Sequence, residues 1–487
     1  MTSCSADGVP PVEQQEVGLG SGMGTGLSSM AANGLSYSVG PRTPFGIHGK
    51  PLVETASGLV VADEILVRFA AGVPDVDVLA AVEAAGGTVE LQAPLSGYFL
   101  VRLPDAGAAV RDHALQFLRQ DPRVMEAALN HVMTGATVAD QAVDADLVSR
   151  QWNLWAMGIE PDEWNASAAG TTVAVLDTGI AYEDYSDSKG VYALAPTLAG
   201  VEFIAGYDFV NDDDHANDDQ RHGTHVAGVI AASSGIAAIA PGVALMPVKV
   251  LDGNNSGTEL GLAEGILFAA SSGADAINMS LSFPPTYFPS FLLQTTVDYA
   301  TSQGVVMVAA AGNHGEPIVC YPAAFRDVIA VGGSDLPDDF RVSQRHGDEW
   351  ADIVGELRLA PYSNHSHRLD VLAPSGTITG DANGDGWPEA ILAQTFSPGD
   401  PTDFHYYYYA GTSQAAAEVT GVVALVLAAN PSLGPFQVRA LLVENAKRLK
   451  DGGDCRDGHC QGDGKHRGGR DILSAEAGRG AVMAART

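Results

Sequence analysis

The chain has 487 residues, 46% of them hydrophobic, which suits a globular protein with one large domain and a smaller one. With 59 Asp and Glu against 26 Lys and Arg, its formal net charge of -33 repels phosphate backbones and excludes nucleic acid as a general partner; the one basic cluster, at 465–470, is short. Four cysteines are too few for a disulfide scaffold.

Residues 1–57 read as a disordered segment in which Cys4 precedes a Gly/Ser-rich stretch. No apolar run reads as a membrane span or as a signal-peptide core. A cytoplasmic protein and an exported one both fit that observation. Cys4 ahead of such a linker resembles the mature end of a bacterial lipoprotein, and the expectation is an extracellular or cell-envelope protein whose leader is not visible.

Regular patterning begins near residue 58 and runs to 134. Val61, Ile65, Val67 and Phe69 suggest a strand, and Asp75 opens a helix carrying Val78, Leu79 and Val82 that Gly86 and Gly87 end. A strand at 97–104, a helix at 108–122 and a last strand at 123–133 complete a small β-α-β-β-α-β unit of the ferredoxin-like type. A polar connector, 135–150, follows; such connectors attract proteolysis.

From 151 to 480, short β-branched runs alternate with helical stretches, the pattern of an α/β domain with a parallel sheet and helices on both faces. Residues 481–487 read as a tail. Ligands of such sheets bind beyond the carboxyl ends of the strands. Asp177 follows "VAVL" there, and Asn313 ends "VVMVAAAGN". His222 stands just before an apolar helical stretch, with Gly223 allowing close backbone approach, whereas His225 one turn on reads as structural. Ser413 begins the apolar helix of "YAGTSQAAAEVTG", where it is either a helix cap or an activated nucleophile. Taken singly, Asp177 and Asn313 also read as turn residues, Ser413 as a cap and a lone His as structural.

Together, "VLDTGI", "HGTHVAG", "AAGN" and "GTSQAA" occur in an order that argues against the α/β-hydrolase arrangement and matches that of subtilisin. Over about residues 151–480 the sequence resembles the subtilisin-like serine peptidases, and the 58–134 unit resembles that family's propeptide, a folding aid and inhibitor. The resemblance implies a serine endopeptidase with Ser413 as nucleophile, His222 as general base and Asp177 orienting it. It implies Asn313 and the Ser413 N–H as oxyanion donors. It also implies that Ser280, Leu281 and Ser282 pair with an extended peptide substrate, while Ala310 and Gly312 line the pocket for the side chain before the cut and Cys320 lies on its floor. Cys320 equally reads as a buried inert thiol.

Calcium is the expected cofactor, with no organic one. "DANGDGWPE" offers Asp381, Asn383, Asp385 and Glu389 at calcium-loop spacing with Gly386 at the turn, although Leu392 stands where the twelfth-position Glu belongs. Asp208, Asn211 and Asp213 resemble a second calcium site of some family members. Both stretches read equally as solvated loops. Cys455 and Cys460 could close a small disulfide loop, while a zinc site with His459 and His466 lacks a second cysteine pair.

The stretch after Ser413 departs from the family pattern: Gln414, Ala417 and Glu418 replace its Met, Pro and His. Glu418, if buried near His222, would alter that group's pKa, and Arg221 is an unusual charge beside the same His. Self-cleavage within about 134–150, release of the N-terminal unit and a monomeric enzyme are expected. The rivals are a catalytically silent binding protein of the same fold and a hydrolase of esters.

Overall fold

The computed structural model describes residues 45–47, 49–137, 139–143, 150–159, 166–336, 357–381, 386–448 and 471–472. They fall within one compact unit, Ser36–Thr487. Cys4, Cys455, Cys460, Asn383 and Asp385 lie outside the described residues.

Regular structure starts with β1 (Leu52–Thr55) and β2 (Gly58–Phe69), then α1 (Asp75–Ala84), β3 (Thr88–Gln92), β4 (Phe99–Arg102), α2 (Ala108–Gln120) and β5 (Val124–Gly135). The antiparallel order β5-β2-β4-β3 is that of a ferredoxin-like sheet. Its core joins Ile65, Val67, Val78, Val82, Val101, Leu115 and Leu118. Leu79, one of the apolar residues that mark this helix in the sequence, is 37% exposed. The buried stripe of α1 is Val78, Ala81 and Val82, followed by Ala85, the 3.6-residue period, which leaves Leu79 to one side.

The chain continues through β6 (Ala139–Val143), α3 (Trp152–Ala156), β7 (Thr172–Asp177), a short hairpin of β8 (Tyr185–Ser186) and β9 (Val191–Tyr192), and β10 (Tyr207–Asp208). Next come α4 (His222–Ala231), β11 (Ala244–Lys249), β12 (Ser256–Thr258), α5 (Glu259–Ser271), β13 (Ala276–Met279), β14 (Leu281–Ser282) and α6 (Phe291–Ser302). Then follow β15 (Val306–Ala310), β16 (Val328–Asp335), β17 (Arg358–Leu359), β18 (Val371–Pro374), β19 (Ile391–Ser397) and β20 (Asp400–Ala410). The last elements are α7 (Thr412–Ala429), α8 (Pro435–Asn445), β21 (Lys447–Arg448) and β22 (Asp471–Ile472).

The large sheet has the order β10-β11-β7-β13-β15-β16-β18-β22-β21, parallel from β10 to β22, with β17 added antiparallel to β16. β7 is the first of these strands in the chain yet lies inside the sheet, so the connections turn in opposite directions on its two sides. That is where a doubly wound sheet opens a crevice at its carboxyl ends. Its strands are apolar and buried almost throughout, as a sheet covered on both faces requires.

By length and hydropathy, α7 could cross a membrane, a feature the sequence reading did not register; 89% of that window is buried against the sheet domain, which makes α7 a core helix. A third sheet, β19-β20-β6, stands beside the start of α7.

Two short strands of the parallel-sheet domain, β12 and β14, pair antiparallel with β5. The small sheet therefore runs into the larger domain without a break.

Candidate active site

Asp177 ends β7 with no exposed surface. Its Oδ1 lies 2.6 Å from Nδ1 of His222 and accepts the Thr178 N–H at 2.7 Å. His222 opens α4, and Gly223 lets that helix dock: a Cβ there would lie 2.1 Å from the Gly179 carbonyl oxygen and 3.1 Å from Asp177 Cβ. The approach is held by Asp218, a fully buried carboxylate. It accepts the hydroxyls of Thr178 and Thr224 at 2.9 and 2.7 Å and the N–H groups of Gln220, Arg221 and Thr224. Burial pushes the Asp218 carboxyl up, and Lys249 opposes that shift. The Thr178 hydroxyl in turn accepts the Gly223 N–H at 2.9 Å.

Ser413 opens α7. Its backbone N–H donates to the Ala136 carbonyl at 3.2 Å, and Nδ2 of Asn313 donates to the same oxygen. The orientation of the Asn313 amide is set from behind, because its Oδ1 accepts the N–H and the hydroxyl of Thr412 at 3.0 and 2.9 Å. Two donors thus converge on one carbonyl, that of the residue just beyond β5. Gly411, at φ 155°, clears the space: a Cβ there would sit 2.5 Å from that oxygen and 2.9 Å from Thr137 Cα.

The chain leading to Ala136 is held as an extended strand. Leu281 and Ser282 pair with Gly135 and Thr134, and Ser256, Gly257 and Thr258 with Thr134, Met133 and Val132. The Ala136 N–H donates to the Ser280 carbonyl at 3.1 Å, and the Ser413 hydroxyl donates to that same carbonyl at 2.9 Å. Nε2 of His222 is buried and has no hydrogen-bond partner among the described residues. The Ser413 hydroxyl is thus engaged by Ser280 rather than by the imidazole.

The two halves of the site are joined through β20. The Arg221 guanidinium donates to the Tyr409 hydroxyl from Nη2 at 2.7 Å and lies 4.9 Å from the Tyr407 ring centre, and His225 stacks on Tyr409 at 4.1 Å. Four residues past Tyr409 is Ser413.

The deciding match covers more than half of the chain, since residues 168–466 fit the model of the subtilase family. The chain belongs to that family. This subtilase is 31% identical over 290 residues to the thermophilic serine proteinase of Bacillus sp. (strain AK1), covering 59% of this chain and 59% of that protein. It is 32% identical to subtilisin Savinase of Lederbergia lenta, covering 58% and 86%. It is 34% identical to fervidolysin of Fervidobacterium pennivorans, covering 62% and 41%. Its structure resembles that of fervidolysin, described as a keratinolytic enzyme related to subtilisin, with a TM-score of 0.63 at 25% identity over 88% of this chain and 64% of that one. A protease of Pseudoalteromonas arctica PAMC 21717 follows with a TM-score of 0.53 at 26% identity over 70% and 100%. The aligned part is thus under two thirds of the full length of several of these relatives.

The remaining residues singled out in this subtilase behave variously. Ala310 and Gly312 are buried or nearly so beside Asn313, and Gly312 packs against Cys320, whose Sγ would lie 3.0 Å from a Cβ there. Burial pushes the Cys320 thiol up to about 11, and its sulfur accepts the Asn364 amide at 3.2 Å, the condition of an inert thiol. Asn364 also accepts the N–H groups of His314 and Glu316 and so shapes the loop after Asn313. His225 is fully buried and pushed down to about 3, hence neutral.

Asp208 and Asp213 do not fit a calcium ion. Asp208 is buried and accepts the N–H groups of Val210 and Asn211 and the Asn211 amide at 2.7–2.8 Å, while the Lys189 ammonium bonds Asp213. Burial raises Asp208 to about 6. The loop's own donors and a lysine thus take the place of the expected ion. In the other stretch Asp381 is exposed and accepts the Gly386 N–H at 3.0 Å, and Glu389 is buried. Among the described residues, no group of three or more His, Cys, Asp or Glu side chains is placed to hold a metal.

Glu418 proves fully buried on α7, where burial raises its carboxyl well above the usual range and Asn153 donates to it at 2.8 Å. Its hydrogen-bond partner there is Asn153 of α3.

Sequence reasoning missed Asp218, Thr412, Asn364 and Gly411. Asp218 carried a signal, an acid four residues ahead of a helix start. The other three position atoms that lie far away in sequence.

Proposed function

We propose that this chain is a serine endopeptidase, and that its first substrate is its own peptide bond between Ala136 and Thr137. The observation that carries the reading is the Ala136 carbonyl, which receives the Ser413 N–H and the Asn313 amide together. Such a pair of donors stabilises the anion formed when a nucleophile adds to a carbonyl. The names of the relatives, serine proteinase and subtilisin among them, support a peptide substrate.

In this reading the Ser413 hydroxyl leaves the Ser280 carbonyl and turns to Nε2 of His222, which takes its proton as Oγ bonds to the Ala136 carbonyl carbon. Asp177 keeps the imidazole in the tautomer with Nδ1 protonated and stabilises its cation. The bond to the Thr137 nitrogen then breaks as His222 returns the proton to the leaving amine. Water, deprotonated by the same imidazole, releases the acyl group.

The 52–136 unit then remains as an inhibitor, since the strand that delivered the bond still fills the cleft. The mature enzyme is expected to work as a monomer outside the cell or at its envelope. No step needs a metal ion.

Native chain and Ser413→Ala, purified in parallel, test the reading by intact mass. Native protein should yield a fragment ending at Ala136 and another beginning at Thr137, and the variant should stay whole. Identical trimming of both sinks self-cleavage. A fluorophosphonate that labels Ser413 separates a live enzyme from a silent binding protein, which would take no label.

A further inference from the structure

Beyond the bond at Ala136 the chain does not leave the surface. It continues as β6, which adds antiparallel to β20 in the register Ala139↔Ala410, Asp140↔Tyr409, Gln141↔Tyr408, Ala142↔Tyr407 and Val143↔Tyr406. These are the third to seventh residues after the bond. On its other side β20 is paired with β19. Without β6, the outer edge of β20 would present unpaired N–H and C=O groups, a template for another extended chain.

We propose that this edge is an extended leaving-side subsite, which takes residues three to seven beyond the scissile bond of a substrate as an added antiparallel strand. The inference rests on the endopeptidase reading. Two features support it.

The edge is rigid near the nucleophile because both faces of β20 are packed from Tyr407 to Ala410. Tyr408 is fully buried and clusters with Ala390, Leu392 and Trp387, while Tyr407 and Tyr409 face Arg221 and His225. A preorganised strand loses little entropy when a partner pairs with it.

The register is also tied to the chemistry. Ala410 is followed directly by Gly411, Thr412 and Ser413, so a peptide in this register has its bond at the nucleophile, as Ala136 has. With β12 and β14 gripping the residues before the bond, substrate is held as a strand on both sides of the cut. The recognised chemistry is a backbone: an unfolded or extended protein segment free of proline at the paired positions.

Peptides sharing one sequence before the cut and ending two, four or seven residues after it provide the test, using processed enzyme. The seven-residue form should be cleaved with kcat/KM about tenfold or more above the two-residue form. N-methylation along residues three to seven should remove that gain at alternate positions only, because every second amide of an antiparallel strand faces its partner. Equal cleavage of all lengths overturns the inference and leaves the endopeptidase reading standing. Cleavage of none sinks both.

In the intact chain, single proline substitutions from Ala139 to Val143 should slow self-cleavage with the same alternation. If prolines act in the chain but peptide length has no effect, the edge serves only self-cleavage, and the substrate claim falls.

Discussion

Thr412 shows how one hydroxyl can set the polarity of an oxyanion site. Asn313 could present either end of its amide to the Ala136 carbonyl, and only the nitrogen donates. Thr412 resolves this by giving Oδ1 two donors, its N–H and its hydroxyl. Thr412→Val leaves the first and deletes the second, so kcat on a peptide substrate should fall about tenfold with little change in KM, a smaller loss than the roughly 10²–10³ expected when the donor itself is removed by Asn313→Ala. Equal losses in both variants would mean that Thr412 does more than orient the amide. Glu418 makes a different kind of prediction. Its carboxyl is raised in the folded chain from an ordinary value of 4.5, so its contribution to stability is complete below about 4.5 and declines as pH rises towards the folded-state value. The decline is about 1.4 kcal/mol per pH unit over that window. Glu418→Gln keeps the shape and cannot ionise. Urea midpoints measured from pH 4 upward should fall less steeply in the variant than in the native chain, and parallel slopes would show that the buried acid is not the titrating group.

The docking of α4 on β7 depends on an absence of atoms. Gly223→Ala places a methyl group 2.1 Å from the Gly179 carbonyl oxygen, which is backbone and cannot turn aside. The helix must lift, carrying His222 away from Asp177. Overpacking of this kind costs about 1–3 kcal/mol. The variant should therefore show a lower melting temperature together with lost turnover, whereas full activity at reduced stability would show that the 2.6 Å contact survives the shift. The sequence made this geometry readable up to a point. Asp177, Asn313 and Ser413 stand at the ends of strongly patterned apolar runs, and runs of that kind become strands and helices whatever surrounds them. Gly223 was legible too, as a glycine beside a histidine at a helix start. Ala136 was not, because an alanine in a connector has no chemistry until two donors meet its carbonyl. The pairing of β6 with β20 joins residues more than 250 positions apart, and no local period encodes such a register. The acidic loop at Asp208–Asp213 left two readings open for the same reason: its spacing suits a cation, and the ammonium that meets Asp213 comes from Lys189, 24 residues upstream.

The antiparallel sheet that includes β12, β5, β2, β4 and β3 makes the N-terminal unit and the parallel-sheet domain parts of one surface, so how tightly the unit stays after the bond is cut is a property of the whole molecule. Strand pairing along β5 is one hold. The other is polar and buried: Glu264 of α5 accepts the N–H groups of Leu95 and Ser96 at 3.0 and 2.8 Å, and Glu259 meets His131 at 3.2 Å. Glu264 has no exposed surface, and burial raises its carboxyl while the two amides oppose that shift. Hydrogen bonds to a charged acceptor are each worth about 1.5–3 kcal/mol, and removing the carboxylate strands both amides at the interface. Glu264→Ala removes two such bonds and should therefore weaken retention of the cleaved unit by about 10²–10⁴-fold. Because Glu264 touches neither Ser413 nor the Ala136 carbonyl, the cut itself should proceed at the native rate. The two steps separate in one time course: mass spectrometry follows appearance of the Thr137 terminus, and peptide hydrolysis follows release of the inhibitor. The expected result is an unchanged first phase and a shortened lag in the second. A lag equal to that of the native chain would mean that Glu264 adds nothing to the hold, leaving it to strand pairing along β5 and the Glu259–His131 contact.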